Sequence, residues 1–159
     1  MAVAVDVQVA CDDDTIPAED TIRSWVEAAF DGAGRSGDSA VDIGVRVVDA
    51  EEIQTLNRLY REQDKATNVL SFPTGEIEGL PDDAPRSLGD IVVCAAVVAG
   101  EAAEQGKRLE HHWGHMLVHG TLHLLGFDHE TEVEAQEMES LESRILAGQN
   151  VTDPYAGSR

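Results

Sequence analysis

Three histidines, His119, His123 and His129, are the residues of this sequence whose types and spacing could do chemistry. Read as a helix, the stretch places His119 and His123 four residues apart on one face. About 5 to 6 Å then separates their Cβ atoms, which suits two imidazoles converging on one ion. His129 cannot belong to that helix, because six residues beyond His123 it would lie roughly 9 Å further along the axis and about 120° round it. The helix must therefore end first, and Gly126 tolerates the left-handed turn that ends it and brings the third ligand back. Three neutral imidazoles on one divalent ion, most simply Zn2+, leave a fourth position open, as in a catalytic site rather than a closed structural one. Water bound there has its pKa lowered to about 7.

The spacing His-x3-His-x2-Gly-x2-His is that of metzincin metalloproteases, with one difference. Those enzymes carry a Glu general base directly after the first histidine, where this chain has Gly120. The ligand spacing of a hydrolase is kept and the peptidase base is gone, and an uncharged ligand set favours an anionic substrate such as a phosphodiester. His115, one turn before His119, is the candidate substrate contact, with support of a ligand or a plain surface position as its other readings. His111 and His112 are read as solvent-facing. Asp128 is either a partner of a ligand ring, a proton acceptor or a turn former. Only 11 Lys and Arg occur, yet Arg58, Arg61 and Lys65 cluster within eight positions. They can grip phosphate or complement a helix C-terminus.

The elements that must position these groups are legible from periodicity. Val3, Val5, Val7 and Val9 alternate with Ala4, Asp6 and Gln8 as a first strand with one buried face. A helix follows Pro17 with an apolar stripe of Ile22, Trp25, Val26, Ala29 and Phe30, and 31–37 is a connection poor in anything that packs. Ile43, Val45 and Val47 give a second strand. Asp49 caps a helix reaching Arg61, with Ile53, Leu56 and Tyr60 inward. Thr67 to Pro73 is a short strand, Thr74 to Ser87 a long loop, and Gly89 to Cys94 a central strand. Helices follow over Ala95 to Gln105 and Leu109 to Leu125, the second carrying the histidines. Thr131 caps a last helix with Val133, Met138, Leu141 and Ile145 inward, and the tail begins at Gln149. The expectation is one α+β domain over 1–159, with a mixed sheet of about four strands and about five helices.

Composition narrows the partners. At 42% hydrophobic and 26% charged residues the chain is globular, and its net charge of -20 argues against capture of free RNA or DNA. Cys11 and Cys94 define no disulfide framework, the N-terminus lacks the marks of a signal peptide, and the longest apolar run is too short to span a bilayer. A cytoplasmic protein without a membrane partner is the expectation.

The chain resembles the YbeY proteins, bacterial rRNA maturation factors. The likeness runs through Leu56 to Pro73 with its Tyr60-Arg61 segment, Leu88-Gly89-Asp90-Ile91-Val92, the His119 to His129 signature and Asp153-Pro154-Tyr155. It implies a single-strand-specific endoribonuclease requiring one divalent metal, usually zinc, in 16S rRNA 3'-end maturation, small-subunit assembly and ribosome quality control. By the same resemblance the ligands fall on His119, His123 and His129 and the functional arginine on Arg61. The partners are rRNA and small-subunit particles or assembly proteins. Many members have Tyr where this chain has Phe127. The competing expectation is a ribosome-assembly binding factor whose metal is structural. A peptidase is disfavoured by Gly120.

Overall fold

Alternating β-branched residues build the sheet, and apolar residues at helical spacing decide what covers it. The computed structural model describes residues 3–34, 41–73, 86–127 and 131–149. In chain order these form β1 (Ala4–Val9), α1 (Glu19–Gly32), β2 (Val41–Val48), α2 (Ala50–Arg61), β3 (Val69–Pro73), β4 (Arg86–Cys94), α3 (Ala95–Gln105), α4 (Leu109–Leu124) and α5 (Glu132–Gly148). The strands make one mixed sheet in the order β1-β2-β4-β3, with β1, β2 and β4 parallel and β3 antiparallel along one edge. The expected α+β architecture is the one observed.

Strand alternation sends Ile43, Val45 and Val47 of β2 and Ile91 and Val93 of β4 to one face. There they meet the apolar stripe of α1, Trp113, Leu117 and Leu122 of α4, and Met138 and Leu146 of α5. Val48, Leu70, Val92 and Cys94 point the other way and pack with Ile53 beneath α2. Each such side chain contributes on the order of 1.5–3 kcal/mol when removed from water, so α4 is held on the sheet by burial along most of its length.

Local chemistry sets the helix ends. Asp49 accepts from the Glu52 amide at 2.9 Å and Thr131 from the Glu134 amide at 3.1 Å, as the capping pattern predicts. At the end of α4, Gly126 has φ +99°. Its amide donates to the His123 carbonyl at 3.1 Å and that of Phe127 to Leu122 at 3.0 Å. This is the crossed pair of a Schellman motif, so Gly126 stops the helix as expected.

Several expectations are corrected. β4 begins at Arg86 rather than Gly89, because its pairing with β2 starts at Val41; residues 74–85 of the expected loop lie outside the described residues. Val133 is 66% exposed, since the buried stripe of α5 begins only at Met138. Tyr60 is 61% exposed at the last turn of α2, past the small core that Ile53 enters. Val9 is exposed at the end of edge strand β1. The segment after Phe30 does pack: α1 runs through Gly32, which lies directly against Ile145 of α5 where a side chain would collide. Residues 35–37 of that connection, and 150–159 of the expected tail, lie outside the described residues. Among the described residues no helix is long and apolar enough to cross a membrane.

Candidate metal centre

His119 and His123 stand on consecutive turns of α4, and their Nε2 atoms approach to 3.1 Å. Two imidazole nitrogens each about 2.0–2.1 Å from a tetrahedral zinc would stand roughly 3.3–3.4 Å apart, so the pair is arranged as two ligands of one ion. The side chain of His119 is 25% exposed, which keeps the converging nitrogens within reach of solvent. His129, the expected third ligand, and Asp128 lie outside the described residues. Among the described residues no group of three His, Cys, Asp or Glu side chains is arranged for a metal.

Behind the pair sits Glu142 of α5, fully buried. Its Oε1 is 2.5 Å from His119 Nδ1 and its Oε2 is 3.2 Å from His115 Nε2. A carboxylate at Nδ1 accepts that proton, so the Nε2 lone pair of His119 faces His123, which is the tautomer a ligand needs. His115 lies one layer beneath the two histidines, buried, with its ring nitrogen on Glu142. Sequence reading passed over Glu142. The signal was available: Met138, Leu141, Glu142, Ile145 and Leu146 form the buried stripe of α5, and an acid on an apolar stripe requires a partner.

His112 corrects the expectation of a solvent-facing residue: it is 3% exposed, because α3 packs over this end of α4. Its Nε2 donates to Glu101 at 2.9 Å, and the amide of Asn68 donates to both oxygens of that carboxylate at 3.1 and 3.2 Å. Desolvation by burial pushes the His112 pKa below the usual imidazole range, outweighing the opposing pull of Glu101. His111 is half-buried.

Gly120 faces the sheet. A Cβ there would come within 2.9 Å of Ile91 Cγ2 and 3.3 Å of Ser71 Oγ, and the Ser71 hydroxyl donates to the Gly120 carbonyl at 3.0 Å. The space a glutamate base would need is thus occupied by β3 and β4. Ser71 also reaches Arg61: its carbonyl accepts from Arg61 Nη2 at 2.6 Å. Nη1 donates to the Tyr60 carbonyl at 3.2 Å, and the guanidinium lies 5.0 Å from the centre of the Phe72 ring. One residue of the edge strand therefore joins the arginine to the turn of α4 that carries His119. The loop after α2 is steadied by buried Asn57, whose amide donates to the Lys65 carbonyl at 3.0 Å.

The partners of Arg61 matter for its charge. Arg46 is clamped by Glu52 at 2.6 Å, and Arg23 pairs with Glu19 and Asp20. Among the described residues Arg61 pairs with no carboxylate and is held only by carbonyls and a ring, so its positive charge remains to meet an anion. Arg58 and Lys65 stand exposed nearby in sequence. A cleft of about 490 Å3 opens on the α2 side of the sheet, lined by Asp6, Gln8, Arg46, Glu52 and Asp90, with Tyr60 and Phe72 at one end. With Arg46 neutralised by Glu52, two aspartates beside it give this cleft the wrong sign for a phosphodiester.

Comparison with known proteins identifies the family of the chain. A family model described as Endoribonuclease YbeY matches residues 8–150. Proteins named Endoribonuclease YbeY from Halorhodospira halophila and Stenotrophomonas maltophilia are 54% and 55% identical over 139 and 145 residues. These matches cover 87% and 91% of this chain and 88% of each relative. The solution structure of TM1509 from Thermotoga maritima superposes with a TM-score of 0.57 at 23% identity, covering 92% of this chain and 91% of that one, and so shares the fold. The extent and level of identity establish that this chain belongs to the YbeY endoribonuclease family.

Proposed function

We propose that the protein is a metal-dependent, single-strand-specific endoribonuclease of the cytoplasm that acts on rRNA in small-subunit particles, in 16S rRNA 3'-end maturation and ribosome quality control. The observation that carries this reading is the convergence of the His119 and His123 nitrogens in front of a buried carboxylate, with Arg61, which among the described residues pairs with no acid, tied to the same turn. His119, His123 and His129 would hold one divalent ion, most simply Zn2+. When bound, that ion supplies Lewis acidity for phosphodiester cleavage.

The chain's own residues do the rest. Arg61 binds a phosphate and meets the charge that grows on its oxygens, and the Ser71 carbonyl and Phe72 ring keep the guanidinium in place. With Gly120 packed on the sheet, the general base is either Asp128 or no side chain of the motif, the water activated by the ion then needing none. A net charge of -20 suits a substrate presented by a ribosomal particle better than free RNA.

The test compares wild type, His119→Ala and Arg61→Ala from one nuclease-free preparation on single-stranded and duplex RNA. Cleavage of single strands should fall at least roughly a hundredfold in each folded variant, since the electrostatic terms removed are worth several kcal/mol. Chelation should abolish cleavage and added Zn2+ restore it. Undiminished cleavage by folded His119→Ala would overturn the reading. Full biological complementation by Arg61→Ala, with unfolding on chelation, would instead favour an assembly factor with a structural metal.

A further inference from the structure

We propose that Glu142 is the positioning residue of the metal centre, setting the tautomer and ring plane of His119, and that His115 acts through Glu142 as the second clamp on its carboxylate. The proposal rests on the metal reading above and adds two residues to it.

The geometry divides the labour between the two oxygens. Oε1 takes the short contact to His119 Nδ1 at 2.5 Å, and Oε2 takes His115 Nε2 at 3.2 Å. A carboxylate with no solvent exposure is costly to desolvate and is kept only where close partners meet it. A carboxylate held on both sides cannot rotate, so the imidazole it fixes cannot rotate either. His119 is thereby held with Nδ1 inward and Nε2 toward His123. A second consequence follows from chain order. Glu142 belongs to α5, the helix after the segment that carries His129, whereas His119 belongs to α4 before it. The contact between them ties together the two helices that flank residues 125–131, whose ends are already fixed by the Gly126 stop and the Thr131 cap.

A plain structural ion pair would contribute to stability without touching either the tautomer or the affinity for metal. The experiment therefore reads both. Metal-free wild type is examined by imidazole 15N NMR, and Zn2+ affinity is measured by chelator competition for wild type, Glu142→Gln, Glu142→Leu, His115→Ala and the double variant, with circular dichroism as the control for folding. His119 should be the Nδ1–H tautomer in wild type. Zn2+ affinity should fall about tenfold in Glu142→Gln, which keeps the shape and an acceptor but loses the charge, and about a hundredfold in Glu142→Leu. His115→Ala should weaken binding severalfold alone and add nothing to Glu142→Leu. If Glu142→Leu does not fold, the Gln variant and the wild-type spectrum still decide. Wild-type affinity in folded Glu142→Gln, or an Nε2–H tautomer at His119, overturns the proposal alone. A wild-type chain that holds no Zn2+ overturns the metal reading and the proposal with it.

Discussion

The two ends of one histidine ladder on α4 behave differently. The rings of His112, His115, His119 and His123 follow one another along the helix with centroids 6.1, 6.3 and 4.6 Å apart, so residue type and helical face are shared. Each end also has a glutamate, Glu101 for His112 and Glu142 for His119. At the inner end the imidazole is 3% exposed, and the carboxylate divides itself between that ring and Asn68, the residue just before β3. This joins three elements and leaves no ring nitrogen reaching solvent. At the outer end the carboxylate is the buried partner and the imidazole the partly exposed one, so the same pair directs a lone pair outward. Which partner is buried decides whether a His–Glu couple serves as a clasp or as a site.

Exchanging the ends should separate activity from stability. His119→Gln removes the imidazole ligand but keeps an amide donor for buried Glu142, and should abolish cleavage with little loss of fold. His112→Ala should keep cleavage within a few fold while costing about 1 to 3 kcal/mol in a denaturation titration, from a lost buried hydrogen bond and a cavity. Loss of cleavage in folded, metal-loaded His112→Ala would erase the distinction.

The sheet side of α4 offers the next contrast. Gly120→Glu restores the protease-like residue yet sets its side chain against Ile91 and Ser71. Overpacking there should cost at least about 1–3 kcal/mol, and no metal-dependent peptidase activity should appear. Proteolysis of a casein probe by a variant of unchanged stability would show that the position faces the histidines after all.

The smallest effect concerns pH. Burial lowers the His112 pKa in the folded state below its unfolded value near 6.5, so the unfolded chain binds the proton first. The stability this confers is complete above about pH 6.5 and is lost as pH falls through the folded pKa. In metal-free protein, Tm against pH should decline less steeply below pH 6.5 for His112→Gln than for wild type. Parallel curves would mean that burial of His112 carries no proton linkage.

Much of this molecule is legible in the sequence alone. Strand alternation in Ile43, Val45 and Val47, the Asp49 and Thr131 caps, the four-residue spacing of His119 and His123 and the stop at Gly126 are local properties. They depend on backbone periodicity and on neighbours a few residues away, so the chain specifies them by itself. What it could not specify is which side of a helix a distant element covers. His112 is buried because α3 folds over it, Gly120 is required because β3 and β4 approach it, and Glu142 meets His119 across 23 positions of sequence. Periodicity carries no term for contacts of that range, and only the tertiary packing of α5 and the sheet around α4 turns a pair of helical histidines into an oriented pair.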